Sequence, residues 1–441
     1  MLFSSIEFFY FFSIFLLFIT ILNKFQRIII IIFSLLFYSY WNIYFIPLLI
    51  FFCFATILIL RKNYPLIISI LVLITPLFYF KYSFFLFNLL DINYFIKYSY
   101  KGEIPLAISF ITFSVLAVII DRKNTLNNKY KLGNVSEFIL YFPHLIAGPI
   151  IRLNELIPQL EKKIIFLVEN IKIGLVLFCI GYIKKIYFAD NIAIIIDPIF
   201  KDPFQNNDQI VKAFLLFPIQ IYFDFSGYID MALGISKIIG INLPQNFNKP
   251  YLSTSLTEFW RRWHITLSNW FKDYIYIPLG GSRNGFLRTN FNLLLTMLVA
   301  GLWHGASFNF MLWGLLNGII LCVEKKFNLD KSKYSFIKNL FTCFLIFNLW
   351  VIFRVSNFSN MLVFFELLYS NLDSILITEN LIILILVIFL ISIQKVKDFL
   401  IVNKLLKKIN LLYIFFFLIF IILIGHSMSL GEQQKFIYFQ F

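Results

Sequence analysis

The sequence predicts an all-α polytopic membrane protein with about 11 transmembrane helices, together with re-entrant or interfacial helices. Composition is the first observation behind this prediction: of 441 residues, 60% are hydrophobic and only 14% are charged, whereas soluble domains carry about 25% charged residues. The second observation is that the apolar residues fall into long runs, and about 20 apolar residues suffice for one helix to cross the hydrocarbon core. The chain therefore belongs in a lipid bilayer.

The apolar runs give the order of the spans. Residues 1–441 form one transmembrane domain, with N-terminal spans in 1–136, a motif-bearing core in 137–325 and C-terminal spans in 326–441. Around 137–151 and 262–281 the chain is apolar but broken by Pro, Gly and charge, which predicts re-entrant or interfacial pieces that protein must cover. The predicted spans are 5–22, 28–38, 43–60, 64–80, 104–120, 164–188, 211–239, 290–322, 337–354, 380–394 and 409–425.

The formal net charge of +15 does not indicate a nucleic-acid partner, because the basic residues lie in short clusters between apolar runs and form no extended basic face. Loops on the cytoplasmic side are typically rich in Lys and Arg. Lys24, Arg27, Arg61 and Lys62 alternate with a turn at 39–42 that has neither residue, which predicts an amino terminus outside. The 4 Cys are widely spaced within apolar segments, so we interpret them as buried free thiols.

His304 is the first candidate for chemistry. It lies in Gly301-Leu-Trp-His-Gly305, beside Trp303 and inside an apolar run, and a titratable group held at membrane depth is by default a functional candidate. A neutral imidazole can take a proton from an acceptor hydroxyl and hand it to a leaving thiolate near physiological pH. The alternative is a core histidine that is hydrogen-bonded between helices.

His264 is the second candidate, at the end of the run Glu258-Phe-Trp-Arg-Arg-Trp-His264, which also contains Arg261, Arg262 and Trp263. It could orient an acyl carbonyl or a pyrophosphate. The alternative is an interfacial belt, in which Trp and Arg reach the headgroups. Because His304 follows 40 residues later, one helix cannot hold both imidazoles, and the fold must bring them together.

Asp224 and Asp230 lie in a run that is otherwise apolar, with Ser226 between them. Each carboxylate at mid-bilayer costs about 2.5–3.5 kcal/mol on the insertion scale. Each therefore needs an Arg, a Lys or water, either as a structural ion pair or as part of a catalytic site.

A kinked, polar-lined piece, Phe142-Pro-His144 with Gly148-Pro149-Ile-Ile-Arg152, adds His144 and Arg152 as candidates with no assigned task. Gly280-Gly-Ser-Arg-Asn-Gly285 lacks the preceding strand and the Lys-Ser/Thr of a phosphate-binding P-loop. The sequence also has no zinc signature, no GxSxG and no dinucleotide fingerprint. We therefore expect no metal, no permanently bound cofactor and no hydrolase machinery of its own.

These motifs resemble bacterial membrane-bound O-acyltransferases, the MBOAT superfamily, and the ending Phe436-Ile-Tyr-Phe-Gln-Phe441 resembles the branch that O-acetylates alginate and peptidoglycan. The resemblance runs through residues 138–152, 222–232, 259–267, 277–282 and 301–305. It implies about eleven spans in a ring around a thin centre, with a tunnel or funnel reached from both faces. It also implies that His304 is the catalytic histidine and His264 its second motif position. The implied substrate-lining or tunnel-lining residues are Trp303, Trp263, Arg261, Arg262, Asp224, Ser226, Asp230, Glu258, His144 and Arg152.

The resemblance further implies transfer of acetyl from a cytoplasmic donor, acetyl-CoA, across the inner membrane to a cell-surface glycan. A separate periplasmic SGNH-type esterase would be the partner that completes transfer to sugar hydroxyls. Two alternatives stay open: transfer of D-alanyl to teichoic acid by the same fold, and a transporter that moves a lipid-linked intermediate unchanged. The sequence leaves open which glycan is the acceptor and whether an acyl-histidine forms.

Overall fold

A computed structural model describes residues 1–122, 132–327, 335–355, 357–376, 378–393, 408–428 and 436–437. Within these ranges the regular structure is helical throughout. Of the ending motif, Phe436 and Ile437 are described, and its last four residues lie outside the described ranges. The helices are α1 Ile6–Ile21, α2 Gln26–Ser39, α3 Ile46–Lys62, α4 Leu66–Leu77, α5 Ser83–Leu89, α6 Asn93–Ile96, α7 Ile108–Ile120, α8 Leu132–Leu140, α9 Phe142–Leu145, α10 Leu153–Leu160, α11 Val168–Tyr182, α12 Asp190–Lys201, α13 Ile210–Ile238, α14 Leu256–Arg262, α15 Ile265–Phe271, α16 Gly285–His304, α17 Phe308–Phe327, α18 Ser335–Arg354, α19 Phe358–Ser370, α20 Thr378–Ile393 and α21 Leu411–Met428.

Shorter helical turns link these helices. Stretches of π-helix occupy Phe78–Tyr82, Ile183–Ala189 and Lys272–Tyr276. Stretches of 3₁₀-helix occupy Asn23–Phe25, Ile43–Phe45, Asn207–Gln209, Pro250–Leu252 and Leu372–Leu376.

Six helical segments in the described part of the chain are long and apolar enough to cross a membrane: Ile43–Lys62, Leu66–Leu89, Asn207–Ile238, Gly285–His304, Phe308–Phe327 and Phe336–Arg354. A seventh is possible if Ile6–Ile21 and Asn23–Ser39, bent by 104° at their junction, count as one span. The predicted class, an all-helical membrane protein, is confirmed. The predicted count of eleven is not confirmed, since several apolar runs form helices of only 10–17 residues.

The predicted single span at 290–322 is wrong: α16 ends at His304, and α17 begins at Phe308. The helix stops because Gly305 adopts an extended backbone, with φ −164° and ψ 152°. A Cβ on residue 305 would collide with the ring of Phe310, so a glycine is needed for the chain to turn back this sharply. The turn is only three residues long, Gly305-Ala-Ser307, and carries no charge, and for that reason hydropathy alone does not reveal it.

The hairpin of α16 and α17 packs backbone against backbone. A Cβ on Gly301 would collide with the carbonyl oxygen of Phe310, and a Cβ on Gly314 with the carbonyl oxygen of Met297. Small residues permit this close approach of two helices in a membrane protein. This close packing at Gly301 and Gly314 fixes the end of α16, and therefore His304, against the first turns of α17.

The chain divides into two compact units. Unit 1 comprises Met1–Tyr182, Tyr228–Pro244 and Ile409–Phe420, and unit 2 comprises Ile183–Gly227, Gln245–Lys408 and Ile421–Phe441. The core of unit 1 includes the rings of Phe15, Phe33 and Phe142, which meet edge to face. That of unit 2 includes Trp263 and Trp313, both about 1% exposed. The single transmembrane domain stays a prediction.

Candidate active site

His304, the last residue of α16, lies on the wall of a cavity of about 500 Å³ in unit 2. Its side chain is surrounded by aromatic rings, with centroid distances of 4.9 Å to Trp303, 5.0 Å to Phe353 and 5.2 Å to Trp313, each edge to face. Such arrangements are the favoured geometry of aromatic pairs. The residue is 6% exposed, so packing fixes the imidazole while it still borders the cavity.

The cavity follows one face of α16. Leu293, Thr296, Met297, Ala300 and His304 line it, and this spacing of three and four residues is the period of a helix face. At a rise of 1.5 Å per residue, the eleven steps from Leu293 to His304 span about 16 Å. The cavity therefore has room for an extended ligand with one end beside His304.

Exposed cations line the same cavity: Arg261, Lys272 and Lys325. Within the described ranges none of the three forms an ion pair or a side-chain hydrogen bond. A carboxylate, Glu324, also lines the cavity, but its oxygens already accept hydrogen bonds from protein groups. The lining is positive on balance, and such clefts attract anionic ligands.

Glu324 of α17 binds the amino-terminal end of α14. Its Oε1 accepts a hydrogen bond from the backbone N–H of Leu256 at 2.6 Å, and its Oε2 accepts from the N–H and the hydroxyl of Thr257 at 2.9 and 2.8 Å. Two turns earlier on the same face of α17, Asn317 Oδ1 accepts a hydrogen bond from Trp260 Nε1 at 3.2 Å. Sequence reasoning missed Glu324 and Asn317. An isolated polar residue in an apolar helix is a signal that could have identified Asn317, whereas Glu324 stands beside Lys325 and Lys326 and reads as part of a charged helix end.

The adjacent arginines of α14 have different surroundings. Arg261 lines the cavity, whereas Arg262 pairs with Glu258 one turn earlier. Glu258 Oε2 also accepts hydrogen bonds from the N–H and the hydroxyl of Thr254 at 2.7 and 3.0 Å. Glu258 and Arg262 therefore stabilise α14, and the same helix presents Arg261 to the cavity.

His264 lies at the junction of α14 and α15, in a left-handed conformation with φ 44°. Its Nδ1 is 3.3 Å from Asn246 Oδ1, the oxygen that also accepts hydrogen bonds from the N–H and the hydroxyl of Thr266. Its ring packs on Phe225 at 4.8 Å and on Trp303 at 6.1 Å. Because Trp303 also packs on His304, the fold brings the two histidine motifs together through one indole.

We expect acidification to destabilise the protein through His264. Burial lowers the pKa of His264 from 6.5 to about 3, so between these values the unfolded chain binds a proton that the folded chain does not. The free energy of unfolding should then fall as the pH drops below 6.5, by up to about 1.4 kcal/mol per pH unit.

Denaturation in detergent at pH 7 and pH 5 tests this expectation. His144 provides the matched comparison, because burial lowers its pKa to about 4. His264→Gln and His144→Gln should each reduce the loss of stability on acidification, and a loss equal to that of the unaltered chain would contradict the assignment.

Asp224 has the cationic partner that its place in an apolar run requires. Lys185 Nζ lies 2.6 Å from Asp224 Oδ1 and 2.7 Å from Asp190 Oδ1, with all three side chains buried. Asp224 Oδ2 accepts a hydrogen bond from the backbone N–H of Ile437 at 2.7 Å. Ser226, on the same helix, is also buried. The arrangement is an ion network in unit 2.

Trp263 packs in the aromatic core of unit 2, 4.9 Å from Trp350 and stacked on Phe259 at 5.5 Å. Trp263 directly precedes His264 in the chain, and its packing supports the end of α14. Trp263 and His264 are each 1% exposed.

Three predicted site residues lie in unit 1: His144, Arg152 and Asp230. His144 Nε2 donates a hydrogen bond to the carbonyl oxygen of Phe138 at 2.8 Å, and the residue borders a cavity of about 10 Å³, the size of a single water site. Arg152 Nη1 lies 3.8 Å from Asp121 Oδ2. Asp230 is half-buried. Substrate contact by these three residues stays a prediction.

Among the residues that the structure describes, no group of three or more His, Cys, Asp or Glu could hold a metal ion. What the cavity offers is an imidazole at one point along its length and cations exposed elsewhere on its wall. This combination suits transfer of a group from an anionic donor to a hydroxyl, with the imidazole exchanging the proton.

Comparison with known proteins identifies relatives. The model of MBOAT, the membrane-bound O-acyltransferase family, matches residues 33–365. A peptidoglycan O-acetyltransferase of Helicobacter pylori is 37% identical over 384 residues, which cover 77% of this chain and 72% of the relative. A probable alginate O-acetylase of Pseudomonas putida is 42% identical over 258 residues, 58% of this chain and 53% of the relative. A teichoic acid D-alanyltransferase of Bacillus subtilis is 29% identical over 253 residues, 53% and 62% of the two chains.

The chain spans about half the length of the alginate O-acetylases that it matches.

Proposed function

The chain belongs to the membrane-bound O-acyltransferase family and is a multi-pass membrane protein, and we propose that it transfers acetyl from acetyl-CoA across the inner membrane for O-acetylation of a cell-surface glycan. Peptidoglycan and an alginate-like polysaccharide are the two acceptor classes, in line with the names of its relatives in Helicobacter and Pseudomonas. The observation that carries the proposal is His304 on the wall of a cavity that is also lined by three exposed cations, none of which forms an ion pair within the described ranges.

The charge and the length of this cavity support acetyl-CoA as the proposed donor. Its phosphates are anions, and Arg261, Lys272 and Lys325 are cations of the lining. Its thioester lies at the far end of a long flexible arm, and the cavity extends about 16 Å along α16 to His304. The cations bind the phosphates, and the arm carries the thioester towards the imidazole.

His304 is the general base of the proposed reaction. The imidazole takes the proton of the acceptor hydroxyl as the acceptor oxygen forms its bond to the acetyl carbon. The carbon–sulfur bond then breaks, and the leaving thiolate receives that proton, so that acetyl ester and CoA thiol are the products. We propose a periplasmic SGNH-type esterase as the partner that completes transfer to the sugar.

The finer architecture is part of the proposal. Eleven spans would be reached if the bent pair of helices and the four shorter apolar helices each cross the membrane in addition to the six long segments. Spans arranged as a ring around a tunnel would give the donor and the acceptor access from opposite faces.

Neighbouring lysines on α17 test the donor. Lys325 lines the cavity, and Lys326 is not part of this lining. We expect Lys325→Gln to raise the KM for acetyl-CoA about 3- to 10-fold with little change in kcat, because one partly exposed charge contact is worth about 1 kcal/mol. Lys326→Gln should leave both constants unchanged. The measurement is thiol release by the purified full chain in lipid nanodiscs.

The other reactions give different results in that assay. Consumption of a D-alanyl donor in place of acetyl-CoA would assign the chain to D-alanyl transfer, and recovery of every added substrate unchanged would indicate a transporter. Equal effects of the two lysine variants would contradict the assignment of the cavity as the donor site.

A further inference from the structure

One face of α17 contacts the first part of α14. Trp313, Asn317 and Glu324 are spaced by four and seven residues, so they share a helix face. Trp313 meets Trp260 edge to face at 5.6 Å, and Asn317 accepts a hydrogen bond from the Trp260 indole. Glu324 accepts the three hydrogen bonds from Leu256 and Thr257 that were described above. The attachment thus runs from the beginning of α14 to its middle.

Glu324 contributes the charged part of this attachment. The first N–H groups of a helix have no intrahelical partner, and the amino-terminal end carries a partial positive charge. A carboxylate at that end accepts hydrogen bonds from these N–H groups and interacts favourably with the partial positive charge. Glu324 is only 7% exposed. Little water can therefore reach the three groups that donate hydrogen bonds to its carboxylate and take its place.

The position of Arg261 depends on this attachment, because α14 is only seven residues long. Within the helix, Glu258 binds Thr254, which lies just before α14, and Arg262 at its end. A short helix held at its beginning by a neighbouring helix presents its last turn in one orientation. That last turn contains Arg261.

We propose that Glu324 is a positioning residue for the acyl donor: its carboxylate holds the beginning of α14 and so places Arg261 at the cavity. The role rests on the proposed function, since it requires an anionic donor. It also makes Glu324 an acidic residue that promotes the binding of an anion. If Glu324 acted on the donor only through its own charge, the two negative charges would repel each other.

The positioning role and the repulsive role predict opposite changes in the KM for acetyl-CoA when Glu324 is replaced by Gln. In Glu324→Gln the charge is lost and one of the N–H donors faces an amide NH₂ in place of an oxygen. We expect the KM for acetyl-CoA to rise about tenfold, the effect of one unsatisfied buried donor, with kcat changed less. A lower KM would show that Glu324 acts by repulsion and would overturn the proposal, and so would an unchanged KM.

A double-variant cycle then asks whether Glu324 acts through Arg261. Arg261→Gln alone should raise the KM, and adding Glu324→Gln should raise it little further, because the residue being positioned is already gone. Full additivity of the two increases would overturn the proposal. Glu366→Gln, on an exposed residue of α19, is the matched control and should change nothing.

A direct binding measurement separates the failure of this role from failure of the proposed function. CoA is titrated into the full chain in nanodiscs, unaltered and as Glu324→Gln. Should Glu324→Gln fail to fold, Thr257→Val removes a single donor and should weaken CoA binding by a smaller factor. No binding by the unaltered chain would overturn the donor and this role together, whereas equal affinity of the unaltered and variant chains would overturn this role alone.

Discussion

Replacing His304 with Ala is expected to abolish acetylation of the glycan while the chain stays folded. General acid–base catalysis by a positioned side chain contributes about 10²–10⁴-fold to a rate, and a methyl group can neither take nor return the hydroxyl proton. The measurement is ester-linked acetate on purified cell-wall and extracellular glycans. It compares the parent strain, a deletion strain, and the deletion strain complemented with the unaltered or the His304→Ala chain.

His426 supplies the control for this variant. It lies near the end of α21 and is exposed, so His426→Ala should retain full acetylation at the same level of protein in the membrane. Acetate equal to the parent in the His304→Ala strain would refute the proposed mechanism. Loss of D-alanine esters with unchanged acetate would instead place the chain with the D-alanyl transferases.

The largest effect on folding is expected from Lys185→Met. Lys185 binds both Asp190 and Asp224, and its side chain is 4% exposed. Removing the cation leaves two buried carboxylates without it, and breaking a buried pair costs about 3–5 kcal/mol. We expect little folded protein in the membrane and a marked drop in the temperature of unfolding in detergent.

A variant without any of the three charges is the control for Lys185→Met. Lys185→Met combined with Asp190→Asn and Asp224→Asn leaves no unpaired charge in the network, and an Asn at 224 still offers an oxygen to the N–H of Ile437. This triple variant should recover much of the stability, as replaced buried ion networks do elsewhere. A Lys185→Met chain as stable as the unaltered one would contradict the expected cost.

The class of fold and the candidate residue for the chemistry, His304, could both be named from the sequence, because both predictions rest on local signals. Apolar runs can be identified without knowledge of the fold. A histidine in such a run stands out because placing a titratable side chain inside a membrane costs free energy. The break after His304 was not predicted, since Gly305 ends α16 through the ring of Phe310 on the facing helix. That contact is tertiary and leaves no mark on hydropathy.

Partners far apart in the chain could not be identified from the sequence. The cost of a buried carboxylate required a cation for Asp224, but the choice of Lys185, on a different helical segment, depends on packing. In the same way, the contact between Glu324 and Thr257 joins residues 67 positions apart. Adjacent Arg261 and Arg262 show the limit most clearly, since only the fold decides which of them lines the cavity.

The hairpin of α16 and α17 also bears on the order in which the protein is assembled. Its two helices meet across a turn of three residues, so its contacts close quickly, as local contacts do in general. Phe310 and Trp313, which flank His304, lie within nine residues of it along the chain. During biosynthesis the surroundings of His304 can therefore form early, before α18 has been made. The contact of Phe353 in α18 with His304 and the long-range contact of Glu324 with α14 follow later, so the hairpin positions His304 before these two contacts form.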